Sequence, residues 1–144
     1  MATTAQQVFE AAMHLCDEVN ESTGRADTAD TKEYKNRVLP ILNVLRMECF
    51  TASDTYEAQP GRRSFCPEIT GLDEPIGLDD GLCQGVLPYG LAAHLMLGED
   101  NDKASYFQQR YEELLEGMRR GLPGGFGEID NPYGGIELGQ FARW

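Results

Sequence analysis

Basic residues are scarce. Lys and Arg total 12 against 24 Asp and Glu, which sets the formal net charge at −12 over 144 residues. A surface so biased repels phosphate backbones, which argues against a nucleic-acid binder. No basic, aromatic-interleaved stripe offsets this, and Arg62-Arg63 is the only basic doublet in the long central connection. The simplest role for the charge is solubility. Long apolar runs are absent: none approaches the ~20 residues that span a bilayer, so no membrane contact is expected. The stretch Met1–Gln7 lacks a basic region followed by an apolar one, so no secretory signal is expected. Cys16, Cys49, Cys66 and Cys83 are far apart, with no CxxC pair, and read as reduced structural thiols. There are two histidines, His14 and His94. His14 lies near Cys16, but a zinc site needs about four clustered ligands and no second cluster exists. Neither a phosphate-loop nor a Rossmann glycine pattern occurs, because the glycines around Gly124 and Gly125 do not join a strand to a helix. A Cys49–His94 nucleophile pair has no local motif behind it. No cofactor, metal or catalytic residue is expected, and the chain does not read as an enzyme.

What is present is helical periodicity. A chain of this length is one domain's worth and can bury ~68% of its unfolded surface. A first helix is expected from about Thr4 to Asn20, with Thr4 and Gln7 as a capping box and Gly24 as its C-cap. Val8, Ala12, Leu15 and Val19 form its apolar stripe. A second begins near Asp30 with Glu33 as reciprocal cap, and Tyr34, Val38, Ile41, Leu42, Leu45 and Cys49 line one face. Pro40 interrupts that stripe and predicts a kink. A third starts at Asp79 or Asp80 and stops at Gly98; Pro88 predicts a bend or break between Gln84 and Pro88, letting Gly85 and Gly90 approach a neighbouring helix. A fourth starts after Asp100 or Asn101, and Phe107, Tyr111, Leu114 and Met118 give it the clearest amphipathic signal in the chain. Arg119 and Arg120 suit its C-terminal dipole, and Gly121 and Pro123 end it.

Two segments break this pattern. Ser53 to Asp80 is a long connection holding Pro60, Gly61, Pro67, Gly71, Pro75 and Gly77. It also carries Phe65, Ile69, Leu72, Ile76 and Leu78, so it is expected to be partly ordered, with a short extended stretch at Ile76 to Leu78. From Leu122 to Trp144 the chain has glycines at 124, 125, 127, 134, 135 and 139, which disfavour a helix. Phe126, Ile129, Tyr133, Ile136, Leu138, Phe141 and Trp144 nevertheless supply large apolar anchors, too many aromatics for a solvated tail. The expected fold is all-α: a small four-helix bundle with kinked helices over residues 1–121, a long ordered loop, and an extended C-terminal arm over 122–144. The carboxylate pairs Asp73-Glu74, Asp79-Asp80, Glu99-Asp100 and Glu112-Glu113 read as helix starts and solvated faces rather than as acid–base pairs.

One stretch carries a resemblance. Gly81 to Ala93 reads GLCQGVLPYGLAA, and after His94 the chain continues LMLGEDNDKASYFQQRYEELL from Leu95 to Leu115. An LPYGLAA-like segment, an acidic turn and a helix of RYEELL type resemble the head–tail connector proteins of tailed phages and prophages, also called adaptor or head-completion proteins. The resemblance covers about Ile76 to Met118 and rests on a packing motif (Leu87, Pro88, Tyr89, Gly90, Leu91, Tyr111 and Leu114), not on chemistry. It implies a structural virion protein, made in the host bacterial cytoplasm. Its copies form a ring, typically of twelve, beneath the portal protein. It implies further that the arm grips the portal or an adjacent subunit, that a next connector or tail-completion protein docks on the ring, and that double-stranded DNA passes through the bore without specific binding. The acidic composition and the absence of catalytic motifs agree with that. The alternatives from the residues alone are a small acidic binding or inhibitor module acting on a host protein, including a DNA mimic, and a small enzyme without a recognised motif.

Overall fold

The computed structural model describes residues 2–54, 61 and 66–121. Among them the protein is all-α: α1 (Ala5–Leu15), a one-turn 3-10 helix (Ala29–Thr31), α2 (Lys32–Phe50), α3 (Asp80–Gly85), α4 (Leu87–Met96) and α5 (Asn101–Arg120). The arm over 122–144, with Phe126, Ile129, Tyr133, Ile136, Leu138, Phe141 and Trp144, lies outside the described residues, as do Phe65, Arg62 and Arg63.

α1 opens on the expected capping box. The Gln7 amide donates to Thr4 Oγ1 at 3.3 Å, and the Thr4 amide donates to Gln7 Oε1 at 2.9 Å. Its C-terminus departs from expectation. The helix stops at Leu15, and Asp17, not Gly24, takes the left-handed conformation, with φ 58°. The Asp17 amide donates to His14 O at 3.2 Å and the Glu18 amide to Met13 O at 2.9 Å, which is a Schellman closure. Asp tolerates that region better than most non-glycine residues, so the stop was hidden behind a residue that usually marks helix starts. Gly24, at φ 69°, closes a separate turn by donating to Asn20 O at 2.6 Å.

The entry to α2 is set by Thr28 and Thr31, not by Asp30 and Glu33. The Thr28 amide donates to Thr31 Oγ1 at 3.1 Å, and the buried Thr31 hydroxyl donates to Ala26 O at 2.8 Å. α2 then runs unbroken through Pro40. Pro40 and Asn36, whose carbonyl loses its helical donor there, are both exposed, so water can satisfy the carbonyl.

The predicted third helix is two helices. Asp79 caps α3, accepting from the Leu82 amide at 3.0 Å. The chain breaks at Val86, with φ −117° and ψ −52°. Pro88 falls in the first turn of α4, where a missing N–H costs nothing and the ring fixes a helical φ. The break therefore sits where Pro88 forbids continuity with Gln84. α4 is buried almost all round and packs on α5, α1 and α2. A turn with Gly98 at φ 93° leads to Asp100, which caps α5 by accepting from the Lys103 amide at 3.1 Å. Buried Ala104, Phe107, Tyr111 and Leu115 face the core, while Leu114 and Met118 are half-buried. The stripe is therefore rotated slightly from the predicted one.

Residues 66–79 form an ordered strap. The Ile76 amide donates to Thr3 O at 2.9 Å, next to an isolated antiparallel bridge between Thr4 and Pro75. The Ala5 and Gln6 amides, unpaired donors of the first turn of α1, donate to Glu74 O and Leu72 O at 3.2 and 2.8 Å. On the other side α2 holds the strap. Asn43 exchanges two bonds with the backbone of Ile69, at 3.1 and 3.0 Å. The buried Arg46 guanidinium donates to Ile76 O at 2.8 Å and Pro67 O at 2.5 Å. Ile69, Ile76 and Leu78 are thereby pinned in the core.

Candidate assembly surface

The packing motif is architecture. Leu87, Pro88, Gly90 and Leu91 are buried, and Tyr89 is half-buried. Gly90 is a notch for α5: a Cβ there would lie 2.8 and 2.9 Å from Tyr111 Cδ2 and Cε2 and 3.3 Å from Leu45 Cδ1. Gly85 is not such a notch, because nothing lies within 4 Å of its Cβ position. The Tyr111 ring is fully buried, and its hydroxyl lies 3.4 Å from both Cys49 Sγ and Glu48 Oε2. Burial pushes the Tyr111 hydroxyl pKa well above its ordinary value and raises the Cys49 thiol to about 11. A nucleophilic cysteine needs the opposite shift. Tyr89 packs its ring 6.3 Å from Phe107, with the Arg110 guanidinium 5.9 Å from its centroid.

Most members of the carboxylate pairs accept hydrogen bonds within the fold. Asp79 caps α3, and Asp80 accepts from the Thr3 hydroxyl at 3.0 Å. Glu74 accepts from the Thr70 hydroxyl and amide at 2.7 and 3.1 Å, which holds its pKa below the ordinary carboxylate value. Glu99 accepts from the Tyr34 hydroxyl, and Asp100 caps α5. Glu112 and Glu113 accept from Gln108 and Gln109 one turn earlier. Among the described residues no three His, Cys, Asp or Glu side chains gather as a metal site. His14 and His94 are exposed, while Cys16, Cys49, Cys66 and Cys83 are buried and unbridged.

What stands out among the described residues is an exposed apolar face. Val44 is 60% exposed, Met47 42%, Leu97 66% and Tyr106 55%. Large apolar side chains left this open mark contact surfaces when they are contiguous, and Val44, Met47 and Leu97 line linked depressions, while Tyr106 lies outside them. One groove, of about 620 Å³, runs along the outside of α2 between Pro40, Val44, Met47, Glu48, Cys66 and Glu68. A second joins Pro40, Ile41 and Val44 to His94 on α4. A third continues from His94 and Leu97 between α4 and α5 past Ala104 and Gln108. Pro40 and Val44 belong to the first two and His94 to the last two, so the three make one continuous face.

Sequence reasoning missed this face. Its signal was a second apolar stripe on α2, Pro40, Val44 and Met47, lying opposite the core stripe, with Ile41 partly buried between the two. Compared with family models, with curated proteins and with solved structures, the chain matches none.

Proposed function

We propose that the chain is a structural assembly protein of the head–tail connector type. Copies of it form a ring beneath the portal protein at the capsid vertex, and the ring carries the next connector or tail-completion protein. The observation that carries this reading is the apolar face exposed among the described residues across α2, α4 and α5, on a domain whose buried side-chain polar atoms there all have partners. An exposed apolar face of this kind suits contact with another protein. Its half-polar rim, with Glu48, Glu68, Gln108 and Glu112, resembles a reversible protein–protein contact more than a buried core cut in half.

The resemblance of the Ile76–Met118 region to connector proteins supports the same reading. In it the acidic surface lines a bore that double-stranded DNA traverses without sticking. The arm over 122–144 supplies aromatic anchors for the portal or an adjacent subunit. No helix among the described residues is long and apolar enough to cross a membrane.

The test is to delete residues 122–144 and measure both helicity and incorporation into particles. All core side chains of the described cluster lie between Ala5 and Met118, so the shortened protein should stay folded while failing to join the portal. Normal incorporation would remove the arm from the account. A monomer that binds a host enzyme instead would favour the acidic inhibitor reading, to which the net charge of −12 is equally suited.

A further inference from the structure

The exposed face across α2, α4 and α5 has a charge pattern as well as an apolar floor. Among its described lining residues the only charged side chains are Glu48, Glu68 and Glu112. They sit toward its two ends, Glu48 and Glu68 in the groove along α2 and Glu112 in the groove between α4 and α5. The middle, where Pro40, Val44 and His94 link the grooves, holds no carboxylate, Lys or Arg. All three glutamates are exposed, and among the described residues none of them is in an ion pair. Arg119 donates to the backbone carbonyl of Glu48, not to its carboxylate. The walls are long enough for a helix. From Asn101 to Glu112 α5 rises about 16 Å, and from Pro40 to Glu48 α2 rises about 12 Å, room for two to three turns at 1.5 Å per residue.

This pattern narrows the occupant. A nucleic acid or an anionic lipid surface would bring phosphate to a rim that is acidic at both ends. A second copy docked through the same face would make an isologous contact, in which the face meets itself. Its carboxylates would then find only one another, neutral groups or His94, and like charges brought together cost affinity. The complementary occupant is apolar along its length and carries positive charge on its flanks. Met47 adds a flexible thioether to the floor, which adapts to the apolar stripe of such a helix. We propose that the face takes a basic amphipathic helix of another protein. Its apolar stripe lies on Val44, Met47 and Leu97, and its Lys or Arg side chains meet Glu48, Glu68 and Glu112. The proposal rests on the reading of the face as a protein contact, and not on the connector or portal assignment.

The probe is a dye-labelled synthetic Leu/Lys amphipathic helix of about 18 residues, or five turns, titrated with the full chain and followed by fluorescence anisotropy. Two peptides are controls: the same pattern with Glu in place of Lys, and a scrambled Leu/Lys sequence with no apolar stripe. The expected result is one peptide bound per chain, with both controls at least ~tenfold weaker. Val44→Gln combined with Leu97→Gln changes no charge and alters only exposed positions. It should weaken the peptide by about tenfold with helicity unchanged. Tyr106→Gln, at an exposed aromatic outside the grooves, should leave binding as it was. Glu48→Gln combined with Glu68→Gln should weaken binding and flatten its dependence on salt. Equal binding of the scrambled peptide, or an equal loss in Tyr106→Gln, would show attraction to net charge alone and overturn the proposal, as would no binding at all. Self-association of the chain alone that is lost in the Val44 and Leu97 double variant would give the face to a second copy and overturn it too. No portal protein enters these titrations, so their failure and failure of the connector reading are separate results.

Discussion

Gly90→Ala adds one methyl group where α4 crosses α5. The new carbon would sit 2.8 Å from Tyr111 Cδ2 and 2.9 Å from Cε2, closer than carbon atoms approach in a packed core, and 3.3 Å from Leu45 Cδ1. The Tyr111 ring cannot swing away freely, because it is 1% exposed and its hydroxyl lies between Cys49 and Glu48. Overpacking of this kind costs about 1–3 kcal/mol. Alanine recovers roughly 1 kcal/mol of helix propensity over glycine. With the ring this tightly held, the net is a loss of about 1–2 kcal/mol, or a fall in Tm of roughly 3–8 °C for a chain of this size. Gly85→Ala is the control: nothing lies within 4 Å of its Cβ position, so it should be neutral or stabilising by up to ~1 kcal/mol. Urea unfolding followed by circular dichroism at 222 nm measures both. The coupling can be read directly by repeating Gly90→Ala in a Tyr111→Leu background, where the penalty should largely vanish. A Gly90→Ala protein as stable as wild type would refute the claim that this crossing depends on a missing side chain.

Arg46→Met should destabilise by about 1–3 kcal/mol, because it strands the buried carbonyl of Ile76 and removes the tie to Pro67; limited proteolysis should then cut first within residues 66–78. Asp79→Ala removes the α3 cap and should cost about 1 kcal/mol in a thermal melt. The thiols give a pH dependence. Burial raises Cys16 and Cys49 to about 11 and Cys83 to about 12 from 9.0. A raised folded pKa contributes stability that is complete below pH 9 and is lost as pH climbs through 11–12. The contribution of these thiols should therefore be flat from pH 7 to 8.5 and decline above 9, and Cys83→Ala should shallow the decline. Rapid reaction of the native thiols with a disulfide reagent at pH 8 would show that they are not buried as described.

Three helix starts were legible because their signals are local. Thr4 with Gln7, Asp79 and Asp100 each bond within three residues, and the structure places all three as caps. The break before Pro88 was legible because it follows from ring geometry. Helix ends and polar staples were not. Asp17 does at the end of α1 what glycine usually does, and nothing nearby in sequence distinguishes it. Thr31 bonds back to Ala26 and displaces the expected Asp30–Glu33 pair. Arg46 reads as a surface charge within its helix, yet its partners lie 21 and 30 residues away in the strap. The apolar face escaped for a related reason. Val44 and Met47 alternate with core positions on α2, and which stripe faces inward is decided by α4, whose packing depends on the Gly90 notch.

A connector must assemble on a portal. Native mass spectrometry of the full chain, alone and mixed with a phage portal protein, separates the outcomes. The expected result is a stoichiometric complex with one copy of the chain per portal subunit, in a closed ring; a protein that stays monomeric at every concentration and never shifts the mass of the portal is not a connector.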